Sequence, residues 1–229
     1  MSWLTQGVFY HQKYNHEYKC PPLFLACQDR KIKLVKKLLV KNISDVPNRM
    51  CFAHLKNPDI DINQKDRYEQ TVLYIACKNN NIELIQIFLN HPDIDVNQKD
   101  RGESTALHFA CNYNKLNLVE ILVKHPDIDV NPLNNHGDTP LRLSAKHENI
   151  NLYEMLLNHP DINVNQKNYD GITILQWSFM NRYINLFAML LKHPNIDINL
   201  QDTNGKTLLH LACQYNNVDL VKLLLEKNI

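Results

Sequence analysis

Residues 93–111 read DIDVNQKDRGESTALHFAC, and both halves of this stretch recur along the chain. The first half returns as DIDINQKD at 59–66, DIDVNPLN at 127–134, DINVNQKN at 161–168 and NIDINLQD at 195–202, in steps of 34 residues. The second half returns as TVLYIAC (71–77), TPLRLSA (139–145), TILQWSF (173–179) and TLLHLAC (207–213), with a looser copy, PPLFLAC, at 21–27. A fixed period in this range is the mark of stacked supersecondary units, each leaning on its neighbours.

One unit can be read from its residues. Thr71, Thr105, Thr139, Thr173 and Thr207 stand where a hydroxyl can cap a helix. Pro22 and Pro140 sit just inside, where a missing N–H costs nothing. An apolar stripe such as Leu107, Phe109 and Ala110 follows, and Asn80, Asn114 and Asn216 end the helix because Asn tolerates the left-handed backbone. A second helix shows helical spacing in Ile82, Leu84, Ile85, Phe88 and Leu89, and again in Val218, Leu220, Val221, Leu224 and Leu225. It stops before His-Pro (His91, His125, His159, His193), since the residue before Pro disfavours the helix. The Ile-Asp-Val-Asn alternation is expected to run extended. A hairpin turn at Gly102, Gly137, Gly171 or Gly205 then leads into the next Thr helix.

These residues resemble the ankyrin repeat family. Thr139-Pro140-Leu141 and Thr207-Leu208-Leu209-His210-Leu211-Ala212 are similar to its T-P-L-H-x-A signature; Asp202-Thr203-Asn204-Gly205 is similar to its D-x-x-G hairpin, and Asp95-Val96-Asn97 to its D-V-N close. The resemblance covers residues 20–229, behind an N-terminal extension at 1–19. It implies a mainly α solenoid of about six helix-loop-helix repeats joined by β-hairpin-like turns. Asn or Arg/Glu replaces the family's glycine after the first helix, and Ser178-Phe179 replaces its small pair, which challenges tight packing there. Repeat 1 holds a surplus around 42–57, NISDVPNRMCFAHLKN, which suits one extra short helix. The last helix is too apolar for an end cap, so the repeat is expected to be truncated.

Composition narrows the function. Of 229 residues, 25 are Lys or Arg and 24 Asp or Glu, a net charge of +1 that argues against a dedicated nucleic-acid binder. No apolar run is long enough for a membrane span, and no signal peptide is evident, so a cytoplasmic setting with reduced cysteines is expected. Residues 1–41 hold eight of the basic residues against two carboxylates, either a solvated face or a patch for an acidic partner.

Motifs that carry chemistry fail in detail. Gly205-Lys206-Thr207 ends like a phosphate-binding loop, but Leu200 stands where its first glycine belongs. His147-Glu148 begins a zinc-protease pattern that Asn151 breaks. The four His-Pro histidines recur one repeat apart, about 8–10 Å, too far to share a metal ion; they read as helix C-terminal residues neutralising free carbonyls. Cys27, Cys77, Cys111 and Cys213 read as small buried hydrophobes, and Cys20 and Cys51 fall outside the pattern. No catalytic residue, metal or cofactor is expected.

The resemblance implies a protein–protein interaction scaffold. It carries partner binding onto the hairpin tips and first helices of a concave surface: Arg67, Tyr68, Lys78, Arg101, Asn112, Tyr113, His136, Lys146, His147, Tyr169, Met180, Asn204, Gln214 and Tyr215. These slots vary from repeat to repeat while the core slots keep their type, and exposed Tyr with Arg suits interface anchors. A monomer that binds a protein, with no nucleic acid or membrane, is the expectation. The alternative is a docking or delivery arm of a larger enzyme or ligase complex, or of a protein delivered into a host cell. Asn63, Asn97 and Asn199 also resemble the context of hydroxylated ankyrin asparagines; the simpler reading is that each bonds its own turn.

Overall fold

Repeats 2–6 each start at a threonine with extended backbone. The hydroxyls of Thr71, Thr105, Thr139 and Thr173 accept from the N–H three residues on, at 3.1–3.4 Å. These caps satisfy donors that a helix start leaves free. The computed structural model describes residues 22–39 and 61–227, which form six helix pairs. They are α1 (Pro22–Gln28) with α2 (Ile32–Leu39), α3 (Val72–Lys78) with α4 (Ile82–Leu89), and α5 (Ala106–Asn112) with α6 (Leu116–Leu122). Then follow α7 (Pro140–Ser144) with α8 (Ile150–Leu157), α9 (Ile174–Met180) with α10 (Ile184–Lys192), and α11 (Leu208–Gln214) with α12 (Val218–Lys227). The expected mainly α solenoid of six repeats is what the chain forms; residues 1–19 and the 42–57 surplus lie outside the described residues.

Burial follows the helical period. The second helices turn Leu84, Ile85 and Phe88, then Leu118, Val119 and Leu122, then Leu152, Tyr153 and Leu156 inward, all fully buried. Each such side chain stabilises the stack by about 1.5–3 kcal/mol. First helices end in left-handed residues, Asn80, Asn114 and Asn216 as expected, and also Arg30, Glu148 and Arg182. In repeat 4 the helix shortens to five residues and continues as a 3-10 turn, Ala145–His147, whose Ala145 carbonyl accepts from the Tyr153 hydroxyl at 3.0 Å. Ser178 is buried and bonds the Leu175 carbonyl, while Phe179 packs against Phe187 and Tyr215, so the bulky pair of repeat 5 is accommodated sideways.

Three expectations need correction. The Ile-Asp-Val-Asn stretches do not run extended; they are successive turns, with Ile94 N–H donating to the His91 carbonyl and Asn97 N–H to Asp95 Oδ1. Only an isolated bridge, Lys167 to Thr173, represents β structure among the described residues. Gly102 is not equivalent to the other hairpin glycines. The left-handed slot of that hairpin belongs to Glu103 (φ 57°), as Glu69 (φ 60°) holds it one repeat earlier. Third, the His-Pro histidines turn Nδ1 to their own following turn and not to the helix-end carbonyls: Nδ1 of His91, His125, His159 and His193 accepts from the backbone N–H two residues on, at 3.2–3.3 Å.

Asparagines join the repeats. Asn97 Nδ2 donates to the Asp127 carbonyl at 2.6 Å while its Oδ1 accepts from Asp129 N–H at 2.8 Å. Asn63, Asn131 and Asn165 repeat this clip on the following loop. For Asn63 and Asn97 the expected bond of the side chain to its own turn is therefore replaced by bonds to the next repeat. Asn97→Ala should cost about 1–2 kcal/mol by urea unfolding, with no comparable loss in exposed Asn117→Ala. Glu69→Gly should raise stability by about 0.5–1 kcal/mol, because glycine relieves the left-handed strain.

Candidate partner-binding surface

The hairpin tips are held from within. Asp66, Asp100, Asn134, Asn168 and Asp202 each use Oδ1 to accept two backbone N–H groups, two and four residues on, at 2.8–3.1 Å. This folds each tip into a fixed loop whose outermost side chains point to solvent. Tyr68, Tyr113, Tyr169 and Tyr215 are 48%, 57%, 63% and 52% exposed, large for aromatic side chains. Lys78, Arg101, His136, Lys146, His147, Met180, Asn204 and Gln214 are exposed as well, and Asn112 is half-buried.

The expected site residues fall into clusters. The Arg67 guanidinium lies 4.6 Å over the Tyr68 ring, and Arg101 Nη2 donates to the Arg67 carbonyl at 2.8 Å. On the first helices, Asn112 brings together two more: Lys146 Nζ meets its Oδ1 at 3.2 Å and His147 Nε2 its carbonyl at 2.8 Å. Tyr113 leans on Phe109 (4.7 Å between centroids), which leans on Tyr74 (5.6 Å). Tyr215 meets the edge of Phe179, and Gln214 accepts from Lys206. Tyr169 is tied across the repeats: its hydroxyl donates to the Asn134 carbonyl at 2.9 Å.

Sequence reasoning missed the aromatic floor beneath these residues. Phe109 and Trp177 occupy a slot that is Ile75, Leu143 and Leu211 elsewhere, and both are half-buried. Trp177 stacks on Tyr183 at 5.0 Å and carries the Arg142 guanidinium at 4.7 Å. The signal was an aromatic residue in an otherwise aliphatic slot.

No group of His, Cys, Asp or Glu among the described residues could hold a metal ion. Burial pushes the Cys27 and Cys77 thiols up to about 12 and the Cys111 thiol higher, so these are inert protonated thiols. Cys213 departs from the expected burial and is exposed, because no further helix pair lies against α11 among the described residues. No described helix is long and apolar enough to cross a membrane.

A family model of three ankyrin repeats matches residues 3–100, 23–134, 93–168 and 156–229. The chain belongs to the ankyrin repeat family. Its fold is shared with the ankyrin repeat protein EF0377 at 22% identity and TM-score 0.68, over 90% of this chain and 98% of that one. The ankyrin repeat domain of Bcl-3, a member of the IkappaB family, aligns at 21% identity and TM-score 0.68, over 90% and 86%. An ankyrin repeat domain from Acinetobacter baumannii aligns at 25% identity and TM-score 0.66, over 89% and 96%. No curated protein matches the sequence. Ankyrin repeats are in general protein–protein interaction modules, typically without enzymatic activity.

One residue of the ankyrin signature ties neighbouring repeats beneath this surface. His108, 1% exposed, accepts from Thr105 N–H through Nδ1 at 3.1 Å and reaches the Asp138 carbonyl through Nε2 at 3.0 Å. Burial lowers its pKa below the ordinary 6.5, outweighing the carbonyls of Asp138 and Pro132 that favour its charged form. The unfolded chain therefore binds this proton more readily. The neutral histidine's contribution is present above about pH 6.5 and is lost as pH falls below it. Gln176 makes the same bonds two repeats later without a titrating group. His108→Gln should keep neutral-pH stability and flatten the fall in unfolding free energy between about pH 6.5 and 5, measured by urea titration.

Proposed function

We propose that this protein is a non-enzymatic scaffold that binds a partner protein through the surface formed by its hairpin tips and first helices. The observation that carries the reading is the contrast between slots. Core positions stay largely apolar through the stack, while the exposed positions carry Tyr68, Tyr113, Tyr169 and Tyr215 with Arg67, Arg101 and Lys146. Large exposed tyrosines interleaved with cations are the composition of interface anchors. Their support is already ordered: Phe109 props Tyr113, Phe179 props Tyr215, and internal hydrogen bonds fix the tips. Recognition by such a surface sacrifices little conformational freedom, so a few anchors can set the affinity.

A net charge of +1 favours a protein over a nucleic acid as the partner. The protein acts as a monomer in the cytoplasm in this reading. Ankyrin family membership and the tyrosine row together support it.

The test is quantitative capture from lysate of the native host with the wild type and a triple variant, Tyr68→Ala, Tyr113→Ala and Tyr215→Ala. Circular dichroism checks that the helices survive. The variant should lose its partner by at least about tenfold, since central aromatic anchors are each worth roughly 2 kcal/mol or more. An unchanged set of captured proteins would rule the surface out.

A further inference from the structure

Neighbouring repeats are joined by four recurring rungs besides their apolar packing. The first is the asparagine clip. The second is a lysine rung: Lys65, Lys99 and Lys167 each donate to a carbonyl 34 residues on, at Lys99, Leu133 and Gln201. The third is a staple from the third residue of the first helix, made by His108 to the Asp138 carbonyl and by Gln176 to the Leu200 and Lys206 carbonyls. The fourth is a backbone bond between hairpin tips: Arg101 N–H to Tyr68, Asn135 N–H to Gly102 and Thr203 N–H to Asp170.

The junction between repeats 4 and 5 departs from this scheme at three rungs. The lysine slot is Leu133, which has no donor to offer. The staple slot is Arg142, whose Nε turns back to Asp138 Oδ1 of its own hairpin at 2.9 Å, while its Nη1 is buried without a hydrogen-bond partner. The N–H of Tyr169 makes no bond to the tip before it, although the equivalent N–H does so at three other junctions. The first helices show the same gap. α7 packs closely on α5, yet α7 and α9 scarcely approach each other, with Arg142 over Trp177 filling the space between.

The outer side of this junction is intact. Asn131 clips the loop at Asp161 and Asn163, both at 2.7 Å, and His193 Nε2 meets the Leu157 carbonyl at 3.3 Å. On the open side one contact substitutes for the missing rungs. The Tyr169 ring lies over Gly137, close enough that a Cβ there would meet it at 3.0 Å, and its hydroxyl bonds the Asn134 carbonyl. The Tyr169 backbone nitrogen lies equally near Gly137, but the N–H to carbonyl bond that joins the tips at the other junctions is replaced here by the bond of an exposed tyrosine side chain.

We propose that the stack is two rigid blocks, repeats 1–4 and 5–6, hinged at the Asn131 clip and held shut on the hairpin side by Tyr169. Opening swings the tips of the second block away from the first and unstacks Arg142 from Trp177. A hinge of this kind needs one junction softer than its neighbours, which the three altered rungs supply. Neither block need change internally.

Pulsed electron–electron distance measurement tests this on the full chain. Spin labels on an introduced ketone-bearing residue at positions 136 and 204 span two junctions including the hinge. A pair at 68 and 136 spans two junctions without it. The 136–204 distribution should be at least about twice as wide as the 68–136 distribution, the spread expected of a rigid-body swing. Tyr169→Ala should widen it further, and Leu133→Lys, which restores a donor facing the carbonyl at 167, should narrow it. Distributions of equal width for the two wild-type pairs, narrow or broad, would overturn the proposal. That comparison needs neither substitution, so it stands even if a variant fails to fold.

Discussion

A single helix pair of this chain cannot bury both its faces, so each repeat folds only by leaning on the next. The amide of Asn97 shows how that dependence is made specific. Its nitrogen and oxygen engage the same following loop, which fixes the distance and rotation between repeats as apolar contact alone would not. The same two bonds recur at Asn63, Asn131 and Asn165, and they fix the orientation in which every hairpin tip is presented. Because stability is then a sum of local and nearest-neighbour terms, a change at one junction stays local.

That locality explains how a regular scaffold can carry an irregular surface. The slots facing neighbours largely keep their chemistry: Leu with small Ala, Cys or Ser in the inner core, Asn in the clip, Asp or Asn at the base of each hairpin. The slots facing solvent carry no such demand. Tyrosines, arginines and lysines can accumulate there repeat by repeat, each propped by whatever lies under it, as Phe109 props Tyr113. Repeat 4 goes further and alters the junction itself, giving up a lysine rung, a histidine or glutamine staple and a backbone bond.

The histidines illustrate how the same residue type serves different ends. In the His-Pro turns it is a half-buried acceptor that closes a turn, whereas His108 is a buried strut between repeats that must stay neutral. Their spacing gave the first group a metal-like look. Geometry assigns both groups to backbone hydrogen bonding.

Period and residue type alone determined the helix pairs, their threonine caps, the left-handed asparagines and the exposed tyrosine slots, because these depend on local backbone preference and on which face of a helix is apolar. Only the tertiary structure decided what each polar side chain reaches. The Asn clip joins residues 30 and 32 apart, and the lysine rung joins residues 34 apart. Glu103, not Gly102, takes the left-handed position in its hairpin, although the residue type points the other way. Cys213 repeats the motif of Cys111 and still lies exposed, since burial there depends on a neighbouring repeat and not on the residue. Long-range hydrogen bonds and burial belong to pairs of repeats, and a pattern read within one repeat carries no record of them.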